Sequence, residues 1–169
     1  HYPLRRQRQM CIRDRLIAKH DYPELNIQAY EDAVNRMAED IRDYHSTEAG
    51  ESDLIQSLID FLFKENGYHG SFSDYENAAN SYLNKVIDDR EGLPITLSVL
   101  FIELADRLGI KHVTGLPLPG HFIVKHQPQE GEVALIDVFN SGKQLTFDEA
   151  NALACLLYTS PSPRDGLLS

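Results

Sequence analysis

A histidine and an aspartate near the end of the chain have the residue types of an acid–base pair. His121 opens the run "GHFIVKH" after a Pro-Gly turn, and Asp137 lies in the apolar run "LIDVF". A carboxylate in an apolar strand needs a partner, and a histidine on a neighbouring strand can supply one. An aspartate that orients an imidazole in this way prepares it to accept a proton from a nucleophile. In the ordinary alternative, each side chain caps a turn or bonds to backbone groups.

The nucleophile that such a pair would serve is not obvious. The chain has two cysteines, Cys11 and Cys155, both distant from His121 in sequence. Two hydroxyls, those of Thr96 and Ser98, stand at the start of an apolar helical run. An alcohol is much less acidic than a thiol, so it needs a base in contact and usually an oxyanion hole. Hydrogen bonding within the first helical turn, or packing, is the competing role for both residues.

Two further polar residues precede that helix. Asn84 and Arg90 could hold the carboxylate of a ligand, since a guanidinium binds carboxylates well. Pairing with neighbouring acidic residues, or capping of the turn, is the alternative. A metal site is not expected, because strand alternation puts His121 and His126 on opposite faces and no HExxH or CxxC spacing occurs. We therefore predict no metal and no cofactor.

The two ends of the chain look as though they are encoded by one inverted DNA element. "RRQRQMCIRDR" can be written with the codons TGT ATA AGA GAC AG, the reverse complement of CT GTC TCT TAT ACA in codons for "CLLYTS". This is the pattern of a transposase-type sequencing adapter translated as protein. We predict that residues 1–15 and 155–169 are adapter-derived and non-native. The expected native domain is then 16–154, with a helical N-terminal part over 16–68 and a core over 69–154.

Removing these ends changes the charge and the cysteine content. The formal charge falls from −10 to −14, because the expected domain retains 10 basic and 24 acidic residues. A domain this acidic repels phosphate backbones, which argues against nucleic acid or an anionic membrane as partner. Both cysteines disappear with the ends, so thiol and disulfide chemistry are not expected. We expect a cytoplasmic protein with a possible protein or peptide partner; the sequence does not specify an oligomeric state.

The periodicity of the expected domain changes from helical to strand-like along the chain. The last predicted helix before the strands is apolar nearly all round, which is typical of a buried central helix. The predicted fold class is therefore α+β, with a helical N-terminal part and a buried helix packed on a small antiparallel sheet. Helices are predicted at 26–44, 53–67, 73–89, 94–109 and from 146, and strands at 110–116, 120–126 and 132–139.

These motifs carry a family resemblance. The segments "SYLNKVIDDREGLPITLS", "GLPLPGHFIVKH" and "LIDVFNSG" resemble the transglutaminase-like superfamily, and most of all a bacterial SirB-type branch whose longer members carry tetratricopeptide repeats downstream. The resemblance implies a transglutaminase/papain-like core with a Cys at the start of the buried helix, then a His and an Asp on successive strands. His121 and Asp137 match the last two. The Cys would fall at or near positions 94–96, where the sequence is Pro-Ile-Thr.

Because no cysteine stands at positions 94–96, the resemblance does not by itself imply catalysis. We expect a transglutaminase-like domain without its nucleophilic cysteine that acts as a non-catalytic binding, scaffolding or regulatory module. The alternative is a hydrolase or acyl-transfer enzyme that uses Thr96 or Ser98 with His121 and Asp137. In a third possibility, the His-Asp pair only stabilises the core.

Deleting residues 1–15 and 156–169 is predicted to leave thermal stability unchanged, because adapter-derived stretches have no evolved contacts. Thermal denaturation followed by circular dichroism compares the trimmed and complete chains. Loss of cooperative melting in the trimmed chain would contradict the adapter interpretation.

Overall fold

The fold was analysed in a computed structural model, which describes residues 24–43, 50–72 and 82–158, with side chains up to 155. The helical segment Glu51–Ile59 continues directly into a π-helical turn, Asp60–Glu65. The helices are α1 (Ile27–Asp43), α2 (Glu51–Ile59), α3 (Leu83–Asp89), α4 (Pro94–Leu108) and α5 (Phe147–Tyr158). The strands are β1 (His69–Gly70), β2 (Glu91–Gly92), β3 (Val113–Leu118), β4 (His121–His126), β5 (Ala134–Asp137) and β6 (Lys143–Leu145).

The four longer strands form one antiparallel sheet in the order β3-β4-β5-β6. Its register pairs Leu116 with Ile123 and Val124 with Ile136. Each strand follows its neighbour in sequence, so the sheet is a meander whose strands are joined by short connections. The short strands β1 and β2 pair separately in parallel and bring the end of the π-helical turn beside the start of α4.

Helix α4 is the centre of the molecule. It begins at Pro94, whose fixed φ and missing N–H suit the first helical position, and Gly109 ends it with a φ of 84°. Its side chains point into the core on several sides, so the helix has to be enclosed rather than laid on a surface. Nine of its residues are buried: Pro94, Thr96, Leu97, Ser98, Leu100, Phe101, Leu104, Ala105 and Leu108.

Different elements cover the two faces of the sheet. Val124 and Ile136 belong to the large core that contains α4 and parts of α1 and α2. Ile123 and Leu135, the alternate residues of the same strands, pack in a smaller cluster with Ala150 of α5. Both faces of β4 and β5 are therefore buried, which explains why their sequences are apolar at consecutive positions.

The predicted α+β class, with a central helix and a small antiparallel sheet, is confirmed. The third predicted helix is shorter in the described residues: α3 begins at Leu83, and positions 73–81 lie outside the described part of the chain. Strand β6 was not predicted, because three residues of mixed polarity carry no clear period.

The last helix begins as the sequence indicates. The backbone N–H of Thr146 donates to Glu149 Oε2 at 2.8 Å, and the N–H of Glu149 donates to Thr146 Oγ1 at 3.2 Å, so Thr146 and Glu149 form a capping box. Helix α5 continues to Tyr158, beyond the predicted boundary at 154. An Ala- and Leu-rich run favours a helix whatever its origin, so that boundary stays a prediction.

Replacing Gly142 with Ala is predicted to destabilise the fold by about 3 kcal/mol, because strain and overpacking combine. Gly142 has a φ of 72°, and a Cβ there would lie 2.6 Å from Phe63 Cδ2. Urea denaturation measures the free energy of unfolding.

Gly67→Ala is the matched control for Gly142→Ala. Gly67 has a similar φ of 68°, but a Cβ there would meet nothing within 4 Å. This variant should lose only about 1 kcal/mol, the cost of the left-handed backbone. Equal losses in the two variants would show that the packing of Phe63 against the turn contributes nothing.

Candidate functional site

The structure brings His121 and Asp137 together at one end of the sheet. His121 is the first residue of β4 and Asp137 the last of β5, and because the strands are antiparallel neighbours these positions meet. His121 Nε2 lies 2.9 Å from Asp137 Oδ1. The aspartate side chain is 1% exposed and the histidine side chain 12% exposed, so the carboxylate is sealed and the ring keeps an accessible edge.

Asn140 completes the binding of the carboxylate, and sequence reasoning missed this role. Its backbone N–H donates to Asp137 Oδ1 at 3.2 Å, and its Nδ2 donates to Oδ2 at 2.6 Å. Asp137 thus accepts from Asn140 through both oxygens as well as from His121. The available signal was the Asp-x-x-Asn spacing at the start of a turn, where an aspartate commonly accepts from residues that follow it.

These bonds decide the charge of Asp137. Burial raises the pKa of this carboxyl, but the hydrogen bonds from His121 and Asn140 lower it further than burial raises it, so the net pKa lies below the ordinary 3.8. An ionised carboxylate accepts only, so the proton of the neutral His121 ring is assigned to Nε2. The other ring nitrogen, Nδ1, is then the one that can accept a proton or a hydrogen bond.

The two candidate hydroxyls bond to the first turn of α4. Ser98 Oγ donates to Pro94 O at 2.7 Å and is fully buried. Thr96 Oγ1 accepts from Leu93 N at 3.0 Å and lies 3.1 Å from Leu93 O. In the described part of the chain, neither hydroxyl makes a hydrogen bond to His121. The Ser98 hydroxyl is therefore engaged with its own helix, and the Thr96 hydroxyl with the residue that precedes the helix.

Strand alternation separates the pair from α4 in the same way. His121 follows the phase of Ile123 along β4, and Asp137 follows the phase of Leu135 along β5, whereas α4 packs against the opposite face.

The structure does not join Asn84 and Arg90 in a clamp. Arg90 ends α3 with a φ of 58°, and its Nη1 donates to Asn66 O at 3.0 Å, which fastens α3 to the end of the π-helical turn. Asn84 is buried, and its Oδ1 has no hydrogen-bond partner among the described residues. No described bond connects these two side chains.

An aromatic pair lies beside the imidazole. Phe139 meets the His121 ring edge-on, with the ring centroids 5.9 Å apart, and Phe72 packs on Phe139 at 4.6 Å. Phe72 is 69% exposed, so an apolar surface adjoins the accessible edge of His121. Phe72 and Phe139 are far apart in sequence, so sequence reasoning did not find this arrangement.

The described ranges contain neither a metal-binding cluster nor a membrane-spanning helix. No group of three or more His, Cys, Asp or Glu side chains is placed to hold a metal ion in this part of the chain. None of the helices there combines the length and apolar character that crossing a membrane requires.

A family model described as the transglutaminase-like superfamily matches residues 28–162. The chain belongs to the transglutaminase-like superfamily. The match includes the described fold from the second residue of α1 onward, and the α+β architecture agrees with a transglutaminase-like core. It also extends past position 154 and so leaves the predicted adapter boundary undecided.

Curated relatives occur in bacteria and in mammals. A "UPF0162 protein" of Xylella fastidiosa strain Temecula1 is 35% identical over 91% of this chain and 54% of its own length. The corresponding protein of strain 9a5c is 37% identical over 79% of this chain and 47% of its own length. Human "F-box only protein 21" is 32% identical over 61% of this chain and 17% of its own length. The chain spans about half the length of the bacterial relatives. No solved structure matches it significantly.

Replacing Asp137 with Asn is predicted to lower the free energy of unfolding by about 1–3 kcal/mol at neutral pH. The amide keeps the size of the carboxylate but loses its charge and one acceptor oxygen, so the bonds from His121 and Asn140 weaken. Urea denaturation provides the measurement. The matched control is Asp40→Asn, at an exposed position of α1, which should change little.

The difference in the free energy of unfolding between the wild type and Asp137→Asn is expected to depend on pH. The pKa of Asp137 is lower in the folded chain than its ordinary value. The ionised carboxylate therefore stabilises the fold fully above pH 3.8, and this stabilisation is lost as pH falls through the folded pKa. The stability gap between the wild type and Asp137→Asn should therefore close on acidification. A gap that stays constant down to the acid transition would mean that the carboxylate gains nothing from its ionised state.

Proposed function

We propose that this chain is a transglutaminase-like domain without a working nucleophile, which acts as a binding, scaffolding or regulatory module. The observation that carries the proposal is the bonding of the Ser98 and Thr96 hydroxyls to backbone atoms of α4. A nucleophilic alcohol must pass its proton to a base in contact. The described hydrogen bond of His121 runs to Asp137 instead.

The start of α4 supports the same conclusion. In the superfamily pattern the thiol stands where this chain has Pro94, Ile95 and Thr96. A helix N-terminus lowers the pKa of a thiol placed there, but a proline ring and an isoleucine have no proton to lose. Thr96 is used as part of the helix cap. We propose that the chain is a cysteine-less member of the SirB-type branch.

The remaining features of the site suit a protein or peptide partner. Nδ1 of His121 can accept one hydrogen bond, and the imidazole lies beside Phe139, on which the exposed ring of Phe72 packs. The site therefore offers one directional bond next to an apolar surface. The acidic character of the chain, with a formal charge of −10 overall, opposes nucleic acid and anionic membrane surfaces. We place such an interaction in the cytoplasm.

The relatives support a modular role. The same domain matches bacterial proteins about twice as long as the match and a small part of human "F-box only protein 21". A domain that recurs within longer proteins of different size fits a recognition unit. We propose that the full protein carries further segments, tetratricopeptide repeats in the SirB-type branch, that share partner recognition.

A hydrolase or acyl-transfer enzyme with an alcohol nucleophile is the second candidate. Thr96 suits it better than Ser98, because Thr96 is 8% exposed and Ser98 is completely buried. The Thr96 hydroxyl would have to leave the helix cap and turn toward His121. The geometry therefore favours the non-catalytic role.

Hydrolysis of p-nitrophenyl acetate and labelling by a fluorophosphonate probe distinguish these functions. We expect no labelling of Ser98 or Thr96, and equal rates of ester hydrolysis for the wild type, Ser98→Ala, Thr96→Ala and His121→Ala. Ser57→Ala is the matched control, since Ser57 Oγ donates to Asp53 O at 2.9 Å in the same helical pattern as Ser98. Circular dichroism verifies that each variant is folded.

The enzyme alternative predicts a different result. Hydrolysis would fall on His121→Ala and on one of the two α4 variants, but not on Ser57→Ala, and the probe would label the same hydroxyl. That pattern would overturn the non-catalytic proposal.

A further inference from the structure

A cavity lies at the end of the sheet opposite the His121–Asp137 pair. It forms where β4 ends, β5 begins and β6 ends, and the first turns of α2 close one side. The length of β4 puts the two ends about 16 Å apart. The cavity has a volume of about 750 Å³, within the range of small-molecule sites. We call it the His126 cavity.

A buried imidazole with one unsatisfied nitrogen lines this cavity. His126 is 2% exposed, and its Nε2 has no hydrogen-bond partner among the described residues. The nearest acidic atom is Glu51 Oε2, at 3.5 Å, which is long for a hydrogen bond. Buried polar side chains are nearly always bonded, and leaving one unsatisfied is costly. An unsatisfied nitrogen at a cavity wall points to a polar ligand.

The charges around the cavity favour a cation. Glu132 is a lining residue, and Glu51 stands beside His126. Lysine and arginine are absent from the lining residues of the described chain. Two carboxylates without a compensating basic side chain repel anions. A metal ion fits poorly, since no group of three ligating side chains is assembled in the part of the chain described.

The remaining walls favour an aliphatic group next to that charge. Apolar side chains from α2, β5, β6 and the start of α5 form them: Ile55, Val133, Leu135, Leu145 and Phe147. Phe147 is 61% exposed and lies at the cavity, where its ring can cover an alkyl chain or face a cation. Acidic groups beside apolar walls suit a molecule that is cationic at one end and apolar at the other.

We propose that the His126 cavity binds an organic ammonium ion that carries an aliphatic chain. The ammonium group donates to the carboxylates of Glu51 and Glu132 and to His126 Nε2, in the imidazole tautomer whose proton is on Nδ1. The Glu51 side chain is 36% exposed, so it can turn toward the ligand and uncover Nε2. The alkyl chain lies against the apolar walls. This site is independent of the function proposed for His121 and Asp137.

Titration of the complete chain with n-hexylammonium, followed by two-dimensional NMR, tests the proposal. We expect saturable binding with a Kd on the order of 1 mM, as befits a ligand of this size. Imidazole signals of His126 should shift and those of His121 should not. n-Hexanoate, which has the same chain length and the opposite charge, should not bind.

Two substitutions and one control identify the charge that holds the ligand. Glu132→Gln and Glu51→Gln should each weaken binding about three- to fivefold, the loss expected for one partly exposed charge pair. Glu130→Gln, at an exposed position of the same loop that does not line the cavity, should leave the Kd unchanged. If Glu51→Gln perturbs the start of α2, the affinity of Glu132→Gln still shows whether a carboxylate at the cavity holds the ammonium group.

Several results would overturn the proposal. They are the absence of saturable binding, equal binding of n-hexanoate, and affinities of Glu132→Gln and Glu51→Gln that equal that of Glu130→Gln. Shifts centred on His121 would place the amine at the other end of the sheet and would count against the cavity equally.

Discussion

The need to enclose α4 governs the architecture. A helix that is apolar on nearly all sides cannot stay against solvent, because each buried aliphatic side chain is worth about 1.5–3 kcal/mol relative to exposure. The earlier helices cover part of it, and the sheet covers the rest through Val124 and Ile136. One face of the four-stranded meander thus packs against α4, and the opposite face packs against α5. The positions of the strand ends, where His121 and Asp137 lie, follow from this packing.

Within that frame, the buried carboxylate is the most demanding polar group. Asp137 can remain charged in an almost sealed position because His121 and Asn140 donate to both of its oxygens. The turn after β5 therefore does two things. It returns the chain into β6, and its Asn140 holds the aspartate that orients the imidazole. Fold stability and site geometry depend here on the same few bonds.

The proposed function keeps the superfamily fold without the superfamily chemistry. The core, the imidazole and the carboxylate are present, and Pro94 begins α4. A change at one helical position can remove the chemistry and leave the packing intact, because the first turn of a helix tolerates proline well. What persists is a fold with polar groups at both ends of its sheet, a His-Asp pair at one end and the His126 cavity at the other.

Much of the fold and part of the site were predictable from local patterns. The apolar run from Pro94 to Leu108, closed by Gly109, specified the central helix, and period-two runs specified the three longer strands. Strand alternation separated His121 from His126, and the apolar surroundings of Asp137 indicated a buried carboxylate that required a partner. Strand β6 was not predicted, because its three residues have no strand periodicity of their own. It is a strand because it pairs with β5.

The sequence by itself determined the α+β class and the buried helix, and it indicated His121 and Asp137 as partners, since these features depend on hydrophobic period and residue type. Only the tertiary structure decided that Asn140 completes the carboxylate site, that Phe72 and Phe139 lie beside His121, and that the hydroxyls of Ser98 and Thr96 bond to their own helix. It alone left His126 Nε2 unsatisfied beside Glu51. The physical reason is that these facts depend on distances between strands, turns and helix ends, which no local period encodes.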